Sequence, residues 1–374
     1  MGLDELKSLV RAGQFGAITL DTSIFVSQGL RLESGLLKQL EQFRDSSTRL
    51  IISEVIREEA LLHLAEKTKE AQTQLEKSLK KAKDYWQVES NEIEDIKKLV
   101  FDGCEAQEIA SRRFGQFIKS TSLELIEAKS HLEVGDLLQK YFRRNPPFSE
   151  KKKYEFPDAI ALMSLETWAD KNQTKIIVVT SDNDWKNFCE ASERLFSTCD
   201  LAEALSLFQL QDADDICTYL SEKYMQGALE KVKEALFSAL ESRIHEIDID
   251  PEINYSLSDS DCNGEVTRVN LNGFEFKVLE SPNLIFRPIN SDSSLTVEAK
   301  LIVDINVECN FTFYTPIKRS YVMESNSLIS TQADLEVEVV VAFVGSLDKI
   351  GAEAEVEEVE VFLESIVDID FGDI

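Results

Sequence analysis

The hydrophobic period of the chain changes near residue 245. Before that point apolar residues gather in short unbroken runs that end on acids or hydroxyls: "AITLD" (17–21), "RLIIS" (49–53), "KIIVVTSD" (175–182) and, less uniformly apolar, "RLFSTC" (194–199). Runs of this length without alternation predict strands covered on both faces. Between them the apolar positions follow helical spacing. "SEVIREEALLHLAEKTKEAQTQLEKSLKKAKDYW" (53–86) has no Pro or Gly and carries many Glu–Lys pairs three or four apart, which predicts a long, largely solvated helix. "FPDAIALMSLETWADK" (156–171) predicts a shorter, more apolar helix with Pro157 in its first turn. Buried strands alternating with helices imply an α/β fold with a parallel sheet and right-handed crossovers. Helical spacing continues through "LAEALSLFQL" and "DICTYLSEKYMQGALEKVKEALFSALESRI".

From residue 245 the period is two. "EVTRVNLNGFEFKVLE", "LTVEAKLIVDINVECNFTFYTP", "ADLEVEVVVAFVG" and "AEVEEVEVFLESIVDI" alternate apolar with polar residues. "NG" at 263–264 and 272–273, "SP" at 281–282 and "TP" at 315–316 are read as the turns between strands. A mainly antiparallel, sandwich-like β domain follows. The expected organisation is an α/β domain over 1–210, a helical connector over 211–244 and a β domain over 245–374.

Charge sharpens that division. The chain carries −29 at pH 7, and residues 245–374 hold 27 Asp+Glu against 7 Lys+Arg, so the last third contributes −20. No apolar run is long enough for a membrane span, and "MGLDELKSLVRAGQFG" has an early acid and no apolar core, so neither membrane nor signal peptide is expected and the location is read as cytoplasmic. Six scattered cysteines, with no C-x-x-C pair, indicate reduced thiols and no structural zinc.

The candidate chemistry lies at the strand ends. In open parallel sheets sites form beyond the carboxyl ends of the strands. Asp21 ends the first run and Asp182 the third, Glu54, Glu58 and Glu59 open the helix after the second, and Asp158 opens the helix at 156. Helix N-capping is the bland account of Asp21. Yet four segments deliver carboxylates to one sheet edge, and two carboxylates about 4 Å apart repel by roughly 4 kcal/mol at an effective dielectric near 20. Such a cluster has to take up protons or bind hard cations, and Mg²⁺ or Mn²⁺ suits oxygen ligands beside a phosphate.

"LDTSIF" (20–25), "ISEVIREEA" (52–60), "FPDAIALMS" (156–164) and "VTSDNDW" (179–185), in this order, resemble the PIN-domain nucleases. The chain is most similar to a bacterial PIN-like subgroup with a long helical insertion, in which an aromatic–Pro–Pro–Phe stretch and a basic run precede the third acid, as "YFRRNPPFSEKKKYEFPDA" (141–159) does here. The resemblance covers about 16–210. It implies a Mg²⁺- or Mn²⁺-dependent endoribonuclease whose catalytic and metal-binding acids are Asp21, Glu59, Asp158 and Asp182, with Glu58 and Asp184 as alternates.

Around these acids each residue has two readings. Thr22 and Ser23 orient Asp21 or touch a phosphate, or are plain helix caps; Thr180 and Ser181 stand similarly before Asp182. His63, one turn after Glu59, is read as solvated or packed ahead of a contact to metal or phosphate. Arg143, Arg144, Lys151, Lys152 and Lys153 are the densest basic stretch and are assigned to phosphate binding, because so acidic a chain needs local positive charge to hold a polyanion. Trp185 and Phe188 are read as core ahead of base stacking. "DSDCNGE" (259–265) matches positions 1, 3, 5 and 6 of a calcium loop but has Asn270 at the twelfth, so a hairpin tip is favoured. The expected substrate is nucleic acid, RNA favoured, with a protein partner or second copy for the acidic β domain. The alternatives are a PIN-like scaffold serving as a binding or regulatory module and a single-strand or structure-selective DNase.

Overall fold

The structure, a computed structural model, describes residues 2–373 other than 87–88, 102, 147, 149–155, 255–260, 280–283, 293, 318–319, 346, 348–349, 351–353 and 364–365. The chain divides into two compact units, Met1–Phe208 and Gln209–Ile374.

The first unit is built on five parallel strands: β1 (Phe15–Leu20), β2 (Arg49–Ser53), β3 (Glu124–Ile126), β4 (Lys175–Val179) and β5 (Leu195–Thr198), in the order β3-β2-β1-β4-β5. β1 and β4 are the central pair, in register from Ala17 against Ile176 to Leu20 against Val179. Their residues Ala17, Ile18, Leu20 and Ile176 through Val179 are fully buried, as unbroken apolar runs require. β3 has no such run; it is an edge strand of three residues, and the sequence pattern does not announce it.

The 33-residue helix Glu54–Trp86 buries Ile56, Ala60, Leu64 and Ala65 near its start and leaves the rest at least partly exposed. Its partner helix, Ala106–Thr121, turns Ala110, Phe114, Phe117 and Thr121 inward at helical spacing. The Phe114 and Phe117 rings close on Phe25 at 6.1 and 6.0 Å between centroids. That contact fixes the short helix Thr22–Ser27, and with it the end of β1.

The strands of the second unit are β6 (Ile249–Asn254), β7 (Asp261–Phe276), β8 (Arg287–Asn290), β9 (Thr296–Ile317), β10 (Ser320–Phe343), β11 (Val356–Phe362) and β12 (Val367–Asp373). β11-β10-β9-β7 form an antiparallel sheet with β8 also on β9, while β6 and β12 pair in parallel. The helices Gln211–Met225 and Glu230–Arg243 bury Cys217, Leu220, Val232, Leu236 and Leu240 in one core with Val297, Leu301, Val339 and Phe343 of the sheet. The stretch read as a connector therefore packs inside the second unit, and the division falls at residue 208. An amphipathic helix carries the same period whether it bridges two domains or covers a sheet.

The dipeptides read as turns lie elsewhere. Asn263 and Gly264 sit inside β7, opposite Thr312 and Phe311; Asn272 sits at a bulge between Leu271 and Gly273; Thr315 and Pro316 sit inside β9, opposite Val322 and Tyr321. "SP" at 281–282 is outside the described residues. Gly264 serves packing, because a β-carbon there would lie 2.6 Å from Pro251 Cγ and 2.8 Å from Phe311 Cε1. Neither the hairpin tip nor a calcium loop survives over 261–264, since these residues are extended and paired; Asp259 is outside the described residues. All six cysteines are free thiols, and no described helix is long and apolar enough to cross a membrane.

Candidate active site

The strand order reverses between β1 and β4, which places a crevice at the carboxyl ends of this central pair. Asp21 stands at that edge, its N–H donating to Val179 O at 2.9 Å, and is only 5% exposed. It holds the N-cap position of the helix Thr22–Ser27, yet its side chain makes no capping bond to that helix. Its Oδ2 instead accepts from Ser23 Oγ at 2.6 Å and from the buried Thr180 Oγ1 at 3.0 Å. Capping does not account for Asp21.

It does account for part of Asp182. Asp182 Oδ1 accepts the N–H groups of Asp184 and Trp185 at 2.6 and 3.2 Å and caps the helix Asn183–Ala191. The Asp182 N–H donates to Thr180 Oγ1 at 3.0 Å, so one threonine hydroxyl links the Asp21 carboxylate to the Asp182 backbone.

The other two acids arrive from helices. Asp158 lies in the first turn of Phe156–Lys171, where its Oδ1 accepts from Trp185 Nε1 at 2.8 Å. Glu59 is half-buried, and its Oε2 accepts from Thr22 Oγ1 at 2.7 Å. Glu58, by contrast, is exposed and paired with its neighbour Arg57.

Electrostatics report the convergence. Burial pushes the Asp158 carboxyl up to about 6; the Trp185 hydrogen bond opposes this, and the charges of Asp21, Glu59 and Asp182 add to it. Burial also raises Asp21, against the hydrogen bonds from Ser23, Thr180 and the Thr22 backbone, with Asp182's charge raising it further. The four acids thus share one field.

The remaining residues sort by position. Ser23, Thr22 and Thr180 are donors to the acids rather than caps. Ser181 is exposed at the rim, its N–H donating to Ser23 Oγ at 3.4 Å. Asp184 is half-buried and contributes its N–H to Asp182. His63 is exposed and faces Glu66 at 3.5 Å, the bland reading. Arg143 and Arg144 are exposed at the end of the helix Val134–Arg143, while Lys151, Lys152 and Lys153 lie outside the described residues. Trp185 and Phe188 are core residues, but the indole N–H of Trp185 reaches into the site. Only its place three residues after Asp182 hinted at that.

In chemistry the donor set fits a hard divalent cation: the side chains are all carboxylates, and the charge they crowd together is what a cation neutralises. The bonds described above engage Oδ2 of Asp21, Oδ1 of Asp158, Oδ1 of Asp182 and Oε2 of Glu59, the usual way in which outer partners orient ligating carboxylates. Among the described residues, no three carboxylate, imidazole or thiol groups are preformed at metal-ligand spacing.

Residues 18–185 match the family model of the PIN domain, a fold generally of nuclease type, and the chain beyond them matches no family. The matched stretch runs from β1 to Trp185 and encloses all four acids. No curated protein and no solved structure matches the chain significantly.

Proposed function

We propose that this PIN domain is a Mg²⁺- or Mn²⁺-dependent endoribonuclease. The observation that carries the reading is the convergence of Asp21, Glu59, Asp158 and Asp182 on the β1–β4 edge, where Thr180 joins Asp21 to Asp182, Trp185 reaches Asp158 and Thr22 reaches Glu59. Asp21, Asp158 and Asp182, with Glu59 beside them, would hold the cation, which supplies Lewis-acid catalysis of phosphodiester hydrolysis when bound. The chain itself supplies orientation. Thr180 and Ser23 fix Asp21, Trp185 fixes Asp158, two backbone N–H groups fix Asp182, and Thr22 fixes Glu59. Such pre-set geometry spares reorganisation during the reaction.

Arg143, Arg144 and Lys151 to Lys153, just ahead of Asp158 in sequence, are assigned to the phosphate backbone, and Ser181 to the rim of the site. The preference for RNA rests on resemblance to ribonucleases of this family. The acidic second unit is assigned to a protein partner or a second copy, because its charge repels polyanions within a Debye length of about 8 Å at physiological salt.

The test is cleavage of labelled single-stranded RNA and DNA with and without Mn²⁺. Asp21→Asn, Asp158→Asn and Asp182→Asn should each reduce metal-dependent RNA cleavage to background with the fold intact. Glu59→Gln should do likewise and Glu58→Gln should not. DNA cleavage alone would make the enzyme a DNase. Silence on both substrates with either ion would make the domain a binding module.

A further inference from the structure

The helix Val134–Arg143 touches the helix that carries Asp158 and the helix that Asp182 caps. On one side the Tyr141 ring lies 5.0 Å from that of Phe156, two residues before Asp158, and Phe148 closes the cluster at 5.3 and 5.2 Å from the two rings. On the other, Lys140 Nζ lies 4.4 Å over the ring of Phe188, on the helix that Asp182 caps. The end of this helix is thereby held beside the acids. Tyr141 and Phe148 spend their rings on that packing.

Phe142 does not. Its ring meets Tyr141 edge-on at 5.4 Å and is otherwise 76% exposed, next to the exposed Arg143. A phenyl ring in water gains nothing for the folded state. An exposed aromatic face beside a cation, one residue from the Tyr141 ring that packs on Phe156, is what unpaired bases stack on.

We propose that Phe142 is a stacking platform for an unpaired nucleobase of the substrate, with Arg143 neutralising an adjoining phosphate, so that the enzyme engages single-stranded stretches. This deepens the nuclease reading and rests on it for the nature of the ligand. A duplex keeps its base faces covered and offers this ring nothing to stack on, so discrimination against paired substrate follows from the same contact.

The test uses the full chain in EDTA, where binding is read without cleavage. The probe is a short single-stranded RNA carrying 2-aminopurine, alone or annealed to its complement. Binding of the single strand should quench the 2-aminopurine emission. Phe142→Ala should abolish the quench and weaken single-strand binding about 10-fold, within the range of one base–aromatic stack, while leaving duplex binding unchanged. Phe142→Trp should retain both. Arg143→Ala should lower the salt dependence of binding by about one counterion and keep the quench. Circular dichroism, with Phe142→Leu as a second variant, separates loss of the ring from loss of the fold. An unquenched probe with the wild-type chain, equal affinity with and without the ring, or equal loss for duplex and single strand each overturns the platform. So does a change of oligomeric state in Phe142→Ala with RNA binding intact, since the ring would then cover a protein contact. Wild-type RNA cleavage, read separately with Mn²⁺, tests the nuclease reading, so the two ideas fail independently.

Discussion

Trp185 Nε1 donates to Asp158 Oδ1 at 2.8 Å, joining residues 27 apart in sequence. The indole is fully buried, and its N–H needs an acceptor. Asp158 supplies it. A core residue and a site acid are therefore one unit.

Trp185→Phe keeps most of the apolar volume and removes the donor. We expect the fold to survive with a loss on the order of 1 kcal/mol, about 2–4 °C in melting temperature for a unit of this size. Cleavage or Mn²⁺ affinity should fall about 10-fold, the low end for a partner that orients a ligating carboxylate. A variant with wild-type metal affinity and rate would reduce the bond to packing.

The raised carboxyls make a signed prediction about pH. Burial pushes the Asp158 carboxyl up from its ordinary 3.8 to about 6 in the folded protein, and Asp21 is also raised. Between those values the folded state holds the extra proton, so metal-free stability from these groups is greatest at low pH and is lost as pH rises through about 6. In EDTA near about pH 8, Asp158→Asn should melt higher than wild type, by on the order of 1 kcal/mol after allowance for solvent screening of a half-exposed group. The difference should vanish toward about pH 4. Mn²⁺ should stabilise wild type and not the variant. An advantage that persists at low pH would mean that Asp158 does not carry the repulsion.

Three of the four acids are legible because an apolar run or a helix start leaves few other places for a charge. Asp21 and Asp182 close buried strands, and Asp158 opens an apolar helix. Glu59 is named in the sequence only through the family resemblance, with Glu58 as alternate, since both stand at the start of one helix; in the structure the hydroxyl of Thr22, 37 residues away, donates to Glu59, while Glu58 is exposed and paired with Arg57. The contact of the Trp185 N–H is not legible. In the second unit the period of two matches the strands, but Asn263–Gly264 is no turn: the strand runs straight through it, and the side chains of Pro251 and Phe311 fill the space a β-carbon would take.

Gly264 and Asn263 test that point together. Gly264→Ala forces a β-carbon toward Pro251 and Phe311 and should cost about 1–3 kcal/mol, as overpacking usually does. Asn263→Ala, on an exposed strand position, should be nearly neutral, whereas in a two-residue hairpin tip both changes would be costly. Thermal melts of the two variants decide it. Nuclease activity of the first unit should not change with either.

The last prediction concerns where the chain can be cut. The ring of Phe208 packs edge-on against Phe43 at 5.1 Å, so a fragment ending at 208 keeps its own closing contact. Beyond it, Leu220, Val232, Leu236 and Leu240 are buried with the sheet of the second unit. Each stabilises by roughly 1.5–3 kcal/mol when covered, and each is bared if the chain stops at 244. Residues 1–208 should therefore give a monomer with a cooperative melt that retains metal-dependent cleavage. Residues 1–244 should bind a hydrophobic dye and aggregate, with two amphipathic helices left uncovered. If the longer fragment is the better behaved of the two, the helices belong with the nuclease unit. The division at 208 would then be misplaced.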